Sequence, residues 1–140
     1  KSLRPFLTSA HERALILGNG GAAAAVRFGL QSLGIKVIHV TRWPVEWESM
    51  RYETLNADYL KHCKLVVQCT PVGTYPDTKA CLEIPWDGLT PEHLVVDLVY
   101  NPAQTAFLKR AEAAGAKTMN GKPMLIAQAE AAWNWWNTGA

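Results

Sequence analysis

The sequence predicts an α/β domain built on a doubly wound parallel sheet. Short apolar runs such as Ala14–Leu17 alternate with segments whose apolar residues recur at helical spacing, as Val26, Leu30 and Leu33 do. The apolar runs lack an alternation of period two, which is typical of strands that are covered on both faces. Strands that alternate with helices form right-handed βαβ units. We therefore expect a Rossmann-type domain.

The expected elements follow from these runs and from the residues that end them. Gly34 and Gly115 are each predicted to end a helix. Residues 42–51, which include Pro44, are predicted to be irregular. In chain order, the predicted strands are 14–17, 36–40, 65–67, 94–98 and 116–119, and the predicted helices are 21–33, 53–62, the segment after Asn101–Pro102, and 122–137.

Composition excludes several classes of protein. Hydrophobic residues make up 49% of the 140 residues and charged residues 19%, which excludes intrinsic disorder. The net charge of +2 is too small to indicate a nucleic-acid partner. No apolar run approaches the ~18 residues that a membrane span needs. The three cysteines, Cys63, Cys69 and Cys81, cannot all pair within the chain, and their spacing fits no common zinc signature. We therefore expect reduced thiols, no metal site and a cytoplasmic protein.

The first site candidate is the glycine-rich turn Gly18–Ala23, between the first predicted strand and its helix. Gly18, Gly20 and Ala23 satisfy the G-x-G-x-x-[GA] pattern. In that pattern the first glycine permits a tight turn, the second lets the backbone approach a pyrophosphate, and the last small residue lets the helix pack closely. The positive end of the helix dipole then faces the phosphates. The pattern predicts dinucleotide binding, whereas the alternative is a turn needed only for packing.

The end of the second predicted strand indicates which dinucleotide is bound. NAD enzymes usually place Asp or Glu here for the ribose 2′-hydroxyl, but this chain continues Thr41-Arg42-Trp43. A guanidinium suits a 2′-phosphate, so Arg42 favours NADP. The alternative is an exposed arginine with no ligand.

Three further segments follow predicted strands. Thr70–Pro76 is a Pro-Gly loop that either lines a ligand crevice or serves as a structural turn. Asp97–Pro102 joins a strand end to a turn. Asn120–Lys122 leads into the last predicted helix, where Met124 shares a stripe with Gln128. Gln128 is an amide on an otherwise apolar face, so it is either a satisfied buried amide or a ligand contact.

Together and in this order, these segments resemble the C-terminal NADP-binding domain of the shikimate dehydrogenase family over nearly the whole chain. Gly18–Ala23 resembles the family's glycine-rich loop, and Cys69–Gly73 resembles its Asn-x-Thr-Pro-x-Gly loop. Thr41-Arg42 resembles its Asn-Arg-Thr phosphate-binding turn, although Thr41 and Trp43 replace the usual Asn and Thr. Asp97–Pro102 and Gly121–Gln128 resemble the segments that frame nicotinamide and substrate.

The resemblance implies an NADP-dependent oxidoreductase that reversibly reduces 3-dehydroshikimate to shikimate by hydride transfer, in aromatic amino-acid (chorismate) biosynthesis. It implies that Tyr100 and Gln128 contact the substrate. The implied cofactor-binding residues are Gly18, Asn19, Gly20, Gly21, Ala22, Ala23, Thr41, Arg42, Thr70, Pro71, Val72, Leu98, Val99, Gly121 and Met124.

The resemblance also implies that catalytic residues lie elsewhere. In the family, a Lys and Asp pair for proton transfer lies on a separate N-terminal substrate domain, and nothing in this chain matches that domain. We therefore expect residues 1–140 to be a single NADP-binding domain cut from a longer two-domain enzyme, with no catalytic residue of its own and no turnover alone. The alternatives are the cofactor domain of a quinate/shikimate dehydrogenase and a non-catalytic nucleotide-sensing module.

Overall fold

The computed structural model describes residues 12–18, 20–41, 49–72, 77–99 and 104–121. Within these residues the chain forms one six-stranded sheet and three α-helices. The strands are β1 (Arg13–Leu17), β2 (Lys36–Thr41), β3 (Ser49–Arg51), β4 (Leu65–Gln68), β5 (Leu94–Asp97) and β6 (Lys117–Asn120). The helices are α1 (Gly21–Ser32), α2 (Ala57–His62) and α3 (Ala106–Ala113), with short 3₁₀ helices at Tyr52–Thr54 and Trp86–Gly88.

The sheet is parallel throughout and has the strand order β3-β2-β1-β4-β5-β6. The predicted Rossmann-type fold is therefore confirmed. The order runs outward from β1 in one direction and from β4 in the other. The boundary between β1 and β4 is the point at which ligands bind in sheets of this kind.

One strand was not expected from the sequence. Residues 42–51 were predicted to be irregular, but Ser49–Arg51 forms β3 and pairs with β2, with Ser49 opposite His39 and Arg51 opposite Thr41. The prediction was wrong for these residues because a three-residue edge strand carries no apolar run of its own. Its position comes from pairing with β2. The predicted helix 122–137 lies outside the described residues.

Side-chain caps set the starts of two helices. The Asn56 side chain accepts hydrogen bonds from the backbone N–H groups of Asp58 and Tyr59 and so begins α2. The Thr105 hydroxyl accepts from the N–H of Leu108, so that α3 begins at Ala106. Helix α2 is therefore shorter than the predicted range 53–62, because its N-cap is Asn56. Helix α3 contains the predicted apolar residues Phe107, Leu108 and Ala111.

Both faces of the sheet carry a core. Alternate residues of β1 point to opposite faces, with Ala14 and Ile16 on one side and Leu15 and Leu17 on the other. Helix α1 covers the first face through Ala23, Val26 and Leu30. The second face is covered by α2, α3 and the segment 81–89. In the part of the chain that the structure describes, no helix has the length and apolar character needed to cross a membrane.

The contact of α2 with the 3₁₀ helix Trp86–Gly88 provides a test of this packing. Leu60 is fully buried, and a Cβ added at Gly88 would lie 3.1 Å from the Leu60 Cβ. We expect Leu60→Ala to lower the free energy of unfolding by about 2–5 kcal/mol, because the cavity cannot fully collapse. Phe28→Ala is the control, since Phe28 is 76% exposed on α1 and its loss should change stability by about 0.5 kcal/mol or less. Equal effects in urea unfolding would contradict the packing described.

Candidate functional site

The carboxyl ends of the parallel strands form one edge of the sheet, and the predicted site residues lie along it. Backbone hydrogen bonds continue the strand pairing past these ends. The N–H groups of Gly18, Cys69 and Leu98 donate to the carbonyls of Val40, Leu17 and Gln68 at 2.9, 2.9 and 3.0 Å. The segments that follow β1, β4 and β5 are thereby held side by side at the boundary where the strand order reverses.

Gly18 makes the tight turn that the glycine pattern predicts. Its φ of +116° lies in a region that residues with a side chain rarely adopt. A Cβ at Gly18 would also lie 3.1 Å from Thr70 Cγ2, so the turn after β1 lies directly against the loop after β4. The position therefore needs glycine for both its backbone conformation and its neighbour.

The N-terminus of α1 faces open space. Gly20 caps this 12-residue helix without a side-chain hydrogen bond, and its first turn contains no acidic residue. Apart from the adjacent residues of the chain and the backbone of α1, no heavy atom of the described residues would lie within 4 Å of a Cβ at Gly20 or Gly21. Ala23 is fully buried, which lets α1 pack closely on the sheet. The first N–H groups of the helix and the positive end of its dipole are thus available to an anionic group, as a pyrophosphate requires.

His39 of β2 makes a hydrogen bond to the glycine-rich turn. Its Nδ1 lies 3.0 Å from the carbonyl oxygen of Gly18. A carbonyl oxygen only accepts, so Nδ1 carries the proton and donates. Burial lowers the pKa of His39 below its usual value, and the nearby charge of Arg27 acts in the same direction, although the bond to Gly18 opposes both. The imidazole is therefore neutral at neutral pH. The sequence indicated a structural role for His39 but not this contact.

A buried polar pair joins the ends of β4 and β5. Gln68 and Asp97 lie opposite each other in register, and Gln68 Nε2 donates to Asp97 Oδ1 at 3.2 Å. The same oxygen accepts from the N–H of Val99 at 3.0 Å, and Oδ2 accepts from the Thr105 hydroxyl at 2.7 Å. Burial raises the pKa of Asp97 to about 6, although these three hydrogen bonds oppose the shift. The carboxyl is thus mostly ionised at pH 7.

The loop after β4 folds around the Gln68 amide. Gln68 Oε1 accepts from both the N–H and the hydroxyl of Thr70, and Nε2 also donates to the carbonyl of Val72 at 3.2 Å. Gln68 stands at the first position of the Asn-x-Thr-Pro-x-Gly pattern, where the family has Asn. Beside it, burial and the charge of Asp97 raise the pKa of the Cys69 thiol to about 12, so this thiol stays protonated. Cys69 is therefore not a nucleophile at neutral pH.

Gly121, directly after β6, lies against the backbone of Leu98. A Cβ at Gly121 would overlap the carbonyl oxygen of Leu98 and lie 2.8 Å from its Cα. Any side chain at this position would displace the segment that follows β5. The structure therefore brings together Leu98 and Gly121, two of the residues expected along the nicotinamide.

The other predicted site residues divide into three groups. Thr70 and Val99 lie at the edge and join the polar network, while Pro71 is exposed and Val72 half-buried beside them. Thr41 ends β2 and is 2% exposed. Asn19, Arg42, Tyr100, Met124 and Gln128 lie outside the described residues.

Sequence reasoning missed the side-chain roles of Gln68, Asp97 and Thr105. The available signal was a polar residue at the last position of an otherwise apolar strand, as in Leu65–Gln68 and Leu94–Asp97. Such a residue is buried by the fold and must find partners at the sheet edge. Within the described ranges, no group of three His, Cys, Asp or Glu side chains could hold a metal ion.

The fold and this edge define the class of the protein as a Rossmann-type domain. No family model matches the chain. The shikimate dehydrogenase (NADP(+)) of Desulforamulus reducens is 38% identical over 144 residues, which cover 88% of this chain and 48% of that protein. The chain thus spans about half the length of the curated relatives it matches.

Solved structures agree with the sequence relatives. Shikimate 5-dehydrogenase from Thermus thermophilus, in complex with NADP(H) and shikimate, is 32% identical with a TM-score of 0.80, over 99% of this chain and 54% of that one. Quinate dehydrogenase from Corynebacterium glutamicum, in complex with NAD, is 25% identical with a TM-score of 0.76, over 91% and 51%. The resemblance of this segment to the shikimate dehydrogenase family is therefore confirmed in both sequence and fold.

The raised pKa of Asp97 predicts a particular dependence of stability on pH. Its carboxyl has a pKa of about 6 when folded and ~3.9 when unfolded, so the folded chain binds this proton more tightly. Stability from this group is complete below pH 4 and is lost as the pH rises through 6, by at most about 3 kcal/mol. An asparagine does not titrate, so the destabilisation by Asp97→Asn should shrink by up to that amount between pH 4 and pH 7.

Urea unfolding of both proteins at pH 4, 5.5 and 7 measures this difference. A stability difference that is independent of pH would contradict the raised pKa. A difference that grows with pH would mean that the folded chain stabilises the ionised form of Asp97 relative to the unfolded chain.

Proposed function

We propose that this chain is the NADP(H)-binding domain of a two-domain enzyme that interconverts 3-dehydroshikimate and shikimate. The observation that carries the proposal is the N-terminus of α1, which has no side-chain cap and faces open space beside the positive-φ turn at Gly18. The similarity to shikimate dehydrogenases over 88% of the chain supports the particular reaction. The catalytic Lys and Asp pair and most of the substrate site would lie on the other domain.

In this proposal the glycine-rich turn holds the pyrophosphate. The N–H groups of Gly20, Gly21 and Ala22 would donate to its oxygens, with Asn19 beside them, while Gly18 and Ala23 shape the turn and the helix packing. Arg42 would neutralise the 2′-phosphate of the adenosine. Thr41, the last residue of β2, would lie beside this contact.

The nicotinamide would lie across the ends of β5 and β6. Leu98, Val99 and Gly121 follow these strands, and Thr70, Pro71 and Val72 flank them on the loop after β4. Met124 would complete this surface, and Tyr100 and Gln128 would contact the substrate. When bound, NADPH supplies the hydride for the carbonyl of 3-dehydroshikimate. The residues of this chain would orient the nicotinamide and exclude water from it.

A quinate/shikimate dehydrogenase is the second candidate. The similarity to the quinate dehydrogenase of Corynebacterium glutamicum favours it, with a TM-score of 0.76. That protein is in complex with NAD, but so is a shikimate 5-dehydrogenase from Listeria monocytogenes, and the cofactor therefore does not separate the two candidates. Comparing the turnover of shikimate with that of quinate by the whole two-domain enzyme separates them.

We predict that the 140-residue chain binds NADPH without oxidising shikimate. The acid/base pair would lie on the other domain, and positioned proton transfer typically contributes ~10²–10⁴-fold to a rate. The substrate would also lose most of the surface that orients it. Calorimetric titration with NADPH and a steady-state assay with NADP and shikimate measure the two parts. Turnover clearly above background would show that this chain contains the catalytic groups, and absence of NADPH binding would overturn the proposed function.

Arg42 is predicted to set the preference for NADPH over NADH. A hydrogen bond to a charged group contributes roughly 1.5–3 kcal/mol, which corresponds to about 10- to 100-fold in affinity. Arg42→Ala should weaken NADPH binding by that factor and leave NADH binding nearly unchanged. Arg13→Ala is the matched control, because Arg13 is an exposed arginine at the opposite edge of the sheet. Arg13→Ala removes the same charge at a position distant from the proposed cofactor site.

Titration of both cofactors into the three proteins decides the role of Arg42. Equal weakening of NADPH and NADH by Arg42→Ala would mean that Arg42 does not recognise the phosphate. Arg51 would then be the next candidate, because it is exposed on β3 directly opposite Thr41. Raised salt should reduce the NADPH preference in the unaltered chain if a charge pair is responsible.

A further inference from the structure

We propose that Asp97 and Gln68 are positioning residues that hold the segments after β4 and β5 in the geometry needed by the nicotinamide end of the cofactor. The inference rests on the proposed function and extends it to residues that would not touch the cofactor. Both side chains are the last residues of central strands, lie opposite each other in register, and are at most 1% exposed. They form a bridge beneath the surface on which the nicotinamide would lie.

All four polar side-chain atoms of the bridge, two on Asp97 and two on Gln68, make hydrogen bonds. The Asp97 carboxylate accepts three hydrogen bonds, from Gln68 Nε2, the N–H of Val99 and the Thr105 hydroxyl, at 3.2, 3.0 and 2.7 Å. The Gln68 amide uses its oxygen for Thr70 and its nitrogen for both Asp97 and the carbonyl of Val72. A buried carboxylate needs such partners, because burial without them is strongly unfavourable.

These bonds secure both connections at the sheet edge. Through Val99 and Thr105, the Asp97 carboxylate holds the start and the end of the connection from β5 to α3. Through Thr70 and Val72, Gln68 folds the loop after β4. The side-chain contacts of the two connections are therefore joined by the hydrogen bond from Gln68 Nε2 to Asp97 Oδ1.

Leu98 lies at the centre of this arrangement. Its N–H donates to the Gln68 carbonyl at 3.0 Å, and its own carbonyl lies against Gly121, where no side chain fits. The residues on either side of Leu98 are Asp97 and Val99, which are hydrogen-bonded to each other. The position of Leu98 therefore depends both on the bridge between Gln68 and Asp97 and on the close approach of Gly121. A shift in either would move the surface offered to the nicotinamide.

The adenosine end of the cofactor would depend on different contacts. The glycine-rich turn is held by the Val40 carbonyl and by His39 Nδ1, both on β2. None of these bonds involves Asp97, Gln68 or Thr105. Loss of the bridge should therefore weaken binding of the nicotinamide end while binding of the adenosine end is retained.

The test compares NADPH with 2′,5′-ADP, which carries the adenosine and its phosphates without nicotinamide. Asp97→Ala leaves the hydrogen-bond partners of the carboxylate unsatisfied, and we expect the NADPH dissociation constant to rise by about tenfold or more. The dissociation constant for 2′,5′-ADP should change by about twofold or less. Asp97→Asn keeps one acceptor oxygen and an amide that can donate to Thr105, so it should restore NADPH affinity to within about threefold of the unaltered chain.

His93→Ala is the matched control for loss of stability alone. His93 is also fully buried and lies just before the amino end of the same strand, β5, with Nε2 2.6 Å from the carbonyl of Leu60 and Nδ1 accepting from the N–H of Thr90. Its substitution removes buried polar contacts at the edge opposite the site. We expect it to lower the melting temperature and leave both dissociation constants within about twofold.

Each possible result either supports or contradicts the positioning role of Asp97 and Gln68. Equal weakening of NADPH and 2′,5′-ADP by Asp97→Ala, or the same ligand profile in His93→Ala, would mean that Asp97 only stabilises the fold. If Asp97→Ala does not fold, Thr105→Val and Gln68→Leu carry the comparison, and the same selective loss of NADPH affinity is expected. If the unaltered chain binds NADPH but no variant is selective, this inference alone is overturned. If the unaltered chain does not bind NADPH, the proposed function is overturned with it.

Discussion

Parallel pairing of β1 with both β2 and β4 is the constraint on which the rest of the structure depends. Residues Ala14–Leu17 pair on one side with 37–40 and on the other with 65–68, which makes β1 a central strand covered on both faces. The chain must then leave β1 through a crossover helix to reach β2, and α1 performs this step. Gly18 lies where that helix departs, next to the start of the loop after β4. The open N-terminus of α1 at this boundary is a consequence of the strand order.

Burial on both faces determines how polar residues are used at the sheet edge. His39, Gln68 and Asp97 are almost fully buried, so each needs partners within the protein. Each finds them in a backbone segment that has just left the sheet: His39 contacts the Gly18 carbonyl, and Gln68 and Asp97 bind the loops after β4 and β5. An apolar residue at these positions would fill the same space without orienting a loop. The raised pKa of Asp97 reflects the free energy by which burial destabilises its ionised carboxylate.

The related structures have similar folds but are in complex with different cofactors. The Thermus thermophilus enzyme is in complex with NADP(H) and the Corynebacterium glutamicum enzyme with NAD, yet their TM-scores to this chain are 0.80 and 0.76. The shared fold therefore does not determine the choice between a 2′-hydroxyl and a 2′-phosphate. That choice depends on a few side chains after β2, where a carboxylate favours the hydroxyl and a guanidinium favours the phosphate. In this chain the segment after Thr41 contains Arg42 and no adjacent carboxylate.

The sequence by itself determined the fold class, the bounds to within one residue of five of the six strands in the described part of the chain, and the position of the glycine-rich turn. These features are local, because an apolar run, a helical stripe or the pattern Gly18–Ala23 depends only on residues close together in the chain. Only the tertiary structure decided that Ser49–Arg51 is a strand and that the Thr41 side chain is buried. Only it joined Gln68 to Asp97 and placed Gly121 against Leu98. Each of these depends on contact between segments that are distant in sequence, and no local pattern of residues encodes which strands become neighbours.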